Sequence, residues 1–169
     1  NGFKATLPNG QVIRGSAKDL QMQKQIVYTK SRNVVESEVG SFGDLSKRSV
    51  KDGMTPDHIP SYAAVKQAVE NAGIKLTDTQ LKALRESTTC VVVSSCDHAT
   101  FSRTYAGRNN ALKYADGKDL YKAAQIDLQT WEPVWRSKGW SEAKINNVKS
   151  AVNQQNKQIF DQMGIKYEP

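Results

Sequence analysis

From Ser61 onward the apolar positions recur at helical spacing. Ala64, Val65, Ala68, Val69 and Ala72 make one stripe, with Ser61 placed to cap the helix and Gly73 to stop it. Thr77 and Gln80 have the spacing of a capping box, which predicts a second helix that turns Leu81 and Leu84 inward and ends near Glu86. The period then changes. Thr88 to Ser94, with three consecutive valines, predicts a strand buried on both faces. That strand runs toward Asp97-His98 and would leave the pair at a sheet edge. Lys118 to Trp131 returns to helical spacing through Leu120, Ala123, Ala124, Leu128 and Trp131, with Pro133 kinking or ending the helix. Trp135 and Trp140 read as core. Ser141 caps a last helix whose inner stripe is Ile145, Val148, Val152, Ile159 and Met163, ended by Gly164.

The first third is less regular. Residues 1–15 place Pro8-Asn9-Gly10 between short apolar pieces, the pattern of a hairpin or of a leader crossing the surface. Residues 16–30 fit a helix starting at Ser16 or a short strand from Gln25 to Thr29. Residues 31–56 are polar and carry Gly40, Gly43 and Gly53, which predicts a loop. Together these patterns predict an α+β fold with four or five helices around a small β-sheet. Residues 1–53 form a leader and loop region, and 54–169 the core with its C-terminal helices.

Length and charge narrow the picture. A chain of 169 residues with 38% hydrophobic content is long enough to bury one core. No stretch approaches the eighteen or so apolar residues of a membrane helix, and no signal-peptide pattern opens the chain, which begins Asn-Gly-Phe and reads as a piece of a longer protein. The net charge of +7 favours a polyanionic partner, and Arg103, Arg108, Lys113, Lys118 and Lys122 are grouped after the second histidine. On one straight strand Cys90 and Cys96 would stand roughly 20 Å apart, beyond disulfide reach, so both read as reduced thiols.

Chemistry concentrates between residues 56 and 110. Both histidines of the protein lie there, each directly after an aspartate, in Pro56-Asp57-His58-Ile59-Pro60-Ser61 and in Cys96-Asp97-His98. A carboxylate binds a hard divalent cation, and an imidazole titrating near neutrality takes a proton from water; together they suit phosphodiester hydrolysis. Ser102 to Asn110 adds Arg103, Arg108, Asn109, Asn110 and Tyr105, a set that donates to phosphate oxygens and can stack on a base.

Asp57-His58-Ile59-Pro60 resembles the D-H-[IV]-x-P opening of HNH endonucleases, the ββα-metal or His-Me finger group. The wider layout is similar to the nuclease domains of bacterial polymorphic toxins. The resemblance covers residues 54–112. It implies a metal-dependent endonuclease, a DNase in preference to an RNase. Asp57 and His98 would be ligands of a divalent ion (Mg, Mn, Ni or Zn) and His58, in an exposed turn, the general base. Arg103 or Arg108 would clamp the phosphate, with Asn109, Asn110 and Tyr105 against substrate. His98 can serve only if the strand before it lies beside Asp57. The resemblance also implies delivery by a larger secreted effector into a target cell and a cognate immunity protein, for which the basic charge suggests an acidic partner. Two other readings remain: a metal-free ribonuclease with His58 and His98 as acid-base pair, and a non-enzymatic nucleic-acid-binding module.

Overall fold

In the computed structural model, residues 33–169 are described in full, together with the backbone of two strands nearer the start, β1 (Gly2–Thr6) and β2 (Val12–Ser16). The chain divides into two units, residues 1–33 and 34–169. In the first, β1 and β2 pair antiparallel with Gly2 opposite Ser16 and Thr6 opposite Val12, which agrees with the hairpin, one of the two readings of the Pro-Asn-Gly pattern. The helix or strand expected over residues 16–30 lies, beyond Ser16, outside the described residues.

The second unit is α+β. Its sheet has three antiparallel strands: β3 (Val39–Ser41), β4 (Met54–His58) and, between them, β5 (Thr89–Ser94). Seven α-helices surround it among the described residues: α1 (Phe42–Arg48), α2 (Tyr62–Asn71), α3 (Asp78–Ser87), α4 (Ser95–Phe101), α5 (Lys113–Lys118), α6 (Leu120–Ser137) and α7 (Glu142–Gln162). No helix among the described residues is long and apolar enough to cross a membrane.

Alternation along β5 produces two cores. Val91 and Val93 face a large one built from α2, α6 and α7, with Trp131, Trp135, Leu128, Ile145 and Phe160. Cys90 and Val92 face a small one with Val34 and Leu45. A strand covered on both sides cannot alternate polar and apolar residues, so the triple valine is the pattern its position requires.

Several expected boundaries move. The segment expected as a loop over residues 31–56 holds, from residue 33 onward, β3, α1 and the start of β4. Gly40 and Gly43 are packing positions, because a Cβ on Gly40 would lie 3.3 Å from Leu45 and one on Gly43 3.1 Å from Glu86, while Gly53 turns the chain at a φ of +74° in open space. Ser41 caps α1 through Asp44 N–H, a start masked by the glycine-rich composition. Asp57-His58 closes strand β4 instead of lying in an exposed turn. Asp97-His98 sits inside α4, started by the Ser94 cap, instead of ending a strand. Helix α6 runs through Pro133 and stops at Gly139, whose φ of +81° favours glycine. Gly117 lets α5 approach α2 closely, since a Cβ there would meet Gln67 at 2.7 Å.

Candidate active site

The order β4, two helices, β5, α4 determines the site. Antiparallel pairing sets Asp57 opposite Val91 and His58 opposite Cys90. Asp57 therefore shares the face of the large core and meets α6, while His58 shares the face of the small core and meets α1. Helix α4 leaves the end of β5 and returns His98 to Asp57. The strand before His98 thus lies beside the strand that carries Asp57.

Asp57 is 3% exposed. Its Oδ2 accepts a 2.9 Å hydrogen bond from Trp131 Nε1, and its Oδ1 accepts one of 3.2 Å from Ser102 Oγ and lies 3.1 Å from His98 Nε2. A buried carboxylate is tolerable only when paired and hydrogen-bonded, and these neighbours satisfy that condition while fixing its orientation. Ser102 and Trp131 are themselves buried. Tyr105 meets the His98 ring edge-on, with centroids 5.0 Å apart.

His58 is placed differently. Its ring stacks on Phe42 at 4.6 Å between centroids and lies 6.4 Å from the Tyr62 ring. Burial pushes its pKa down to about 4, so it is neutral at pH 7. Its Nε2 is buried and has no partner among the described residues. A neutral imidazole with a bare nitrogen is the form that accepts a proton or binds a cation.

Asp57, His58 and His98 all line one cavity of about 500 Å³, together with Arg85, Tyr105, Asn109 and Asn110. The two arginines expected to clamp phosphate are otherwise engaged. Arg103 turns inward, with Nε 2.7 Å from Asp127 Oδ1 and Nη2 2.9 Å from Asp116 Oδ2. Arg108 donates to the carbonyls of Ala99 and Ser102 at 2.5 and 3.1 Å, closing the end of α4, and lies 5.2 Å over the Tyr105 ring. Asn109 is buried, donating to Ser61 Oγ at 2.8 Å, so it ties its loop to the start of α2. Asn110 and Tyr105 are exposed on the cavity wall.

Residues that sequence reasoning missed are Trp131 and Ser102, which orient Asp57, and Phe42 and Arg85, which surround His58. Trp131 fits the apolar stripe of its helix, a pattern that does not mark it as a partner of a carboxylate. Nothing in the local pattern distinguished Arg85 from a solvated helix position.

Asp57 and His98 could hold a small divalent cation, which would replace the hydrogen bond between them. Their 3.1 Å separation matches neighbouring ligands at about 2.1 Å from one ion, roughly 3.0 Å apart at right angles. Asp57 is held on its far side by the Trp131 N–H, the support a ligating carboxylate usually has. No group of three or more His, Cys, Asp or Glu side chains converges among the described residues, so water and phosphate would complete such a shell, as is common for Mg²⁺.

No family model and no solved structure matches the chain. The chain is similar to part of the deoxyribonuclease CdiA of Dickeya dadantii strain 3937, with 34% identity over 125 residues that make up 72% of this chain and 4% of that protein.

Proposed function

We propose that this chain is a phosphodiester hydrolase acting on DNA, an HNH-like nuclease domain of the kind carried by bacterial toxins. One observation supports this reading most: the strand-strand-helix unit β4, β5, α4 brings Asp57 and His98 to ligand spacing beside a neutral histidine with a bare nitrogen. The similarity to a deoxyribonuclease favours DNA as the substrate.

Asp57 and His98 would hold a divalent ion, which when bound neutralises phosphate charge and stabilises the leaving oxygen. His58, neutral at pH 7, takes the proton from the attacking water. Trp131 and Ser102 keep the Asp57 carboxylate fixed, so little reorganisation is needed at the moment of reaction. Tyr105 and Asn110 contact the nucleic acid at the rim of the cavity. Arg103, Arg108 and Asn109 act at one remove: they hold the loop of residues 102–110 in place.

Delivery by a larger effector and inhibition by an acidic immunity protein complete the proposal. Electrostatic steering by the +7 charge supports that partner class. The test is incubation of the purified protein with plasmid and with RNA, with and without EDTA, for wild type and His58→Ala. Cleavage of DNA that requires a cation and His58 supports the reading. RNA cleavage in EDTA replaces it with the metal-free ribonuclease, and binding without cleavage replaces it with a binding module.

A further inference from the structure

We propose that Arg85 is the phosphate clamp of this site, its guanidinium binding a non-bridging oxygen of the scissile phosphodiester beside His58. The inference rests on the nuclease reading and adds a residue to it.

Arg85 follows Leu84, which is buried in the large core, so the helix position next to the core residue emerges on the cavity wall. Its backbone is fixed: its carbonyl accepts a 2.8 Å hydrogen bond from Thr88 Oγ1. Its side chain is exposed, with the guanidinium carbon 4.4 Å from the centroid of Phe42, the ring that also stacks on His58. Guanidinium, phenyl and imidazole are thus gathered in one cluster. The same phenyl ring packs against the histidine and holds the cation near it.

The other described arginines are committed elsewhere. Arg48 pairs with Glu38 and Asp44, Arg103 with Asp116 and Asp127, and Arg136 with Glu132 and Glu142, while Arg108 is bound to carbonyls. To take a phosphate, each would have to abandon those partners. Arg85 makes no ion pair among the described residues and would give up only water. The aromatic ring holds it without satisfying any of its N–H donors, so the planar fork stays available for two phosphate oxygens.

Helix α3, with α2, lies in the segment between β4 and β5, so this cation is supplied by the same insertion that separates the two halves of the motif. A residue that clamps the reacting phosphate lowers turnover far more than affinity. A residue that only adds positive field lowers affinity, and added salt reproduces its loss.

The experiment compares wild type, Arg85→Ala and Arg85→Lys in single-turnover cleavage of a short DNA duplex with the cation that supports activity. Duplex affinity is measured by fluorescence anisotropy across a salt series on a His58→Ala background, and folding by circular dichroism. Arg85→Ala is expected to cleave about 100-fold more slowly or worse, with affinity changed less than about fivefold and Arg85→Lys intermediate. Cleavage by Arg85→Ala at the wild-type rate, or a loss confined to affinity that salt reproduces, overturns the clamp. Should Arg85→Ala unfold, the rate of folded Arg85→Lys decides, and an unchanged rate counts against the clamp. Failure of wild type to cleave under any condition overturns the nuclease reading itself, which separates the two outcomes.

Discussion

Arg103 separates two roles that the sequence alone could not. As a phosphate clamp it would be lost at little cost to the fold; as a brace between two buried carboxylates it would not. Its Nε and Nη2 lie 2.7 Å from Asp127 and 2.9 Å from Asp116, and both aspartates are buried. Removing one partner of a buried ion pair costs about 3–5 kcal/mol, because the remaining charge is left without compensation. Here two carboxylates lose their shared cation, and Asp127 Oδ2 already lacks a partner among the described residues. For a protein of this size each 1 kcal/mol corresponds to about 2–4 °C, so Arg103→Ala should melt about 6–20 °C below wild type. The assay is thermal unfolding followed by circular dichroism at neutral pH, with cleavage measured at a temperature where the variant remains folded. Arg103→Lys, which keeps charge but not the fork, should fall between the two. A melting temperature within about 2 °C of wild type, together with lost cleavage, would refute the brace and return Arg103 to the phosphate.

Other outcomes can be checked alongside. The folded pKa of His58, about 4, lies below its unfolded value of about 6.5, so its contribution is present above pH 6.5 and lost as pH falls through 4. In EDTA, stability should therefore decline by up to about 3 kcal/mol across that window, and the same decline in His58→Gln would contradict the assignment. Trp131→Phe removes the N–H donor to buried Asp57 and should cost about 1.5–3 kcal/mol in urea unfolding, with cleavage reduced in the folded protein. Gly117→Ala forces a Cβ to 2.7 Å from Gln67 and should destabilise by about 1–3 kcal/mol, whereas an unchanged urea midpoint would show that α5 can move away from α2. Addition of Mg²⁺, Mn²⁺, Ni²⁺ or Zn²⁺ should raise the melting temperature, and His98→Ala should abolish the rise; a shift that persists in His98→Ala would exclude that residue as a ligand.

What could be read from the sequence follows the range of the physical interactions. Helices α2, α3 and α7 and strand β5 declare themselves through local periodicity and caps, and the structure keeps Ser61, Thr77 and Ser141 as N-caps. The two Asp-His pairs stood out because both histidines fall in one stretch. The partners of those residues did not, since they are chosen by packing between distant segments. Arg103 sits in an apparently phosphate-seeking loop, and only the fold reveals that Asp127 on α6 reaches it. Gly40 and Gly43 suggested a loop because composition cannot distinguish a glycine that frees the backbone from one that admits a neighbour. Arg85 was hidden for a related reason: a charged residue on an amphipathic helix looks solvated until a cavity is found beside it.

The separation along the chain of the residues gathered at Asp57 has a kinetic consequence. His98 lies 41 positions away and Trp131 74 positions away, so the site consists of contacts with large loop-closure cost. No single hairpin or helix contains it, and a chain that had formed all its local helices would still lack it. Activity should therefore recover only in the slowest refolding phase, after the helical signal has returned. A domain built this way is inert while unfolded and becomes competent only when its last long-range contacts close.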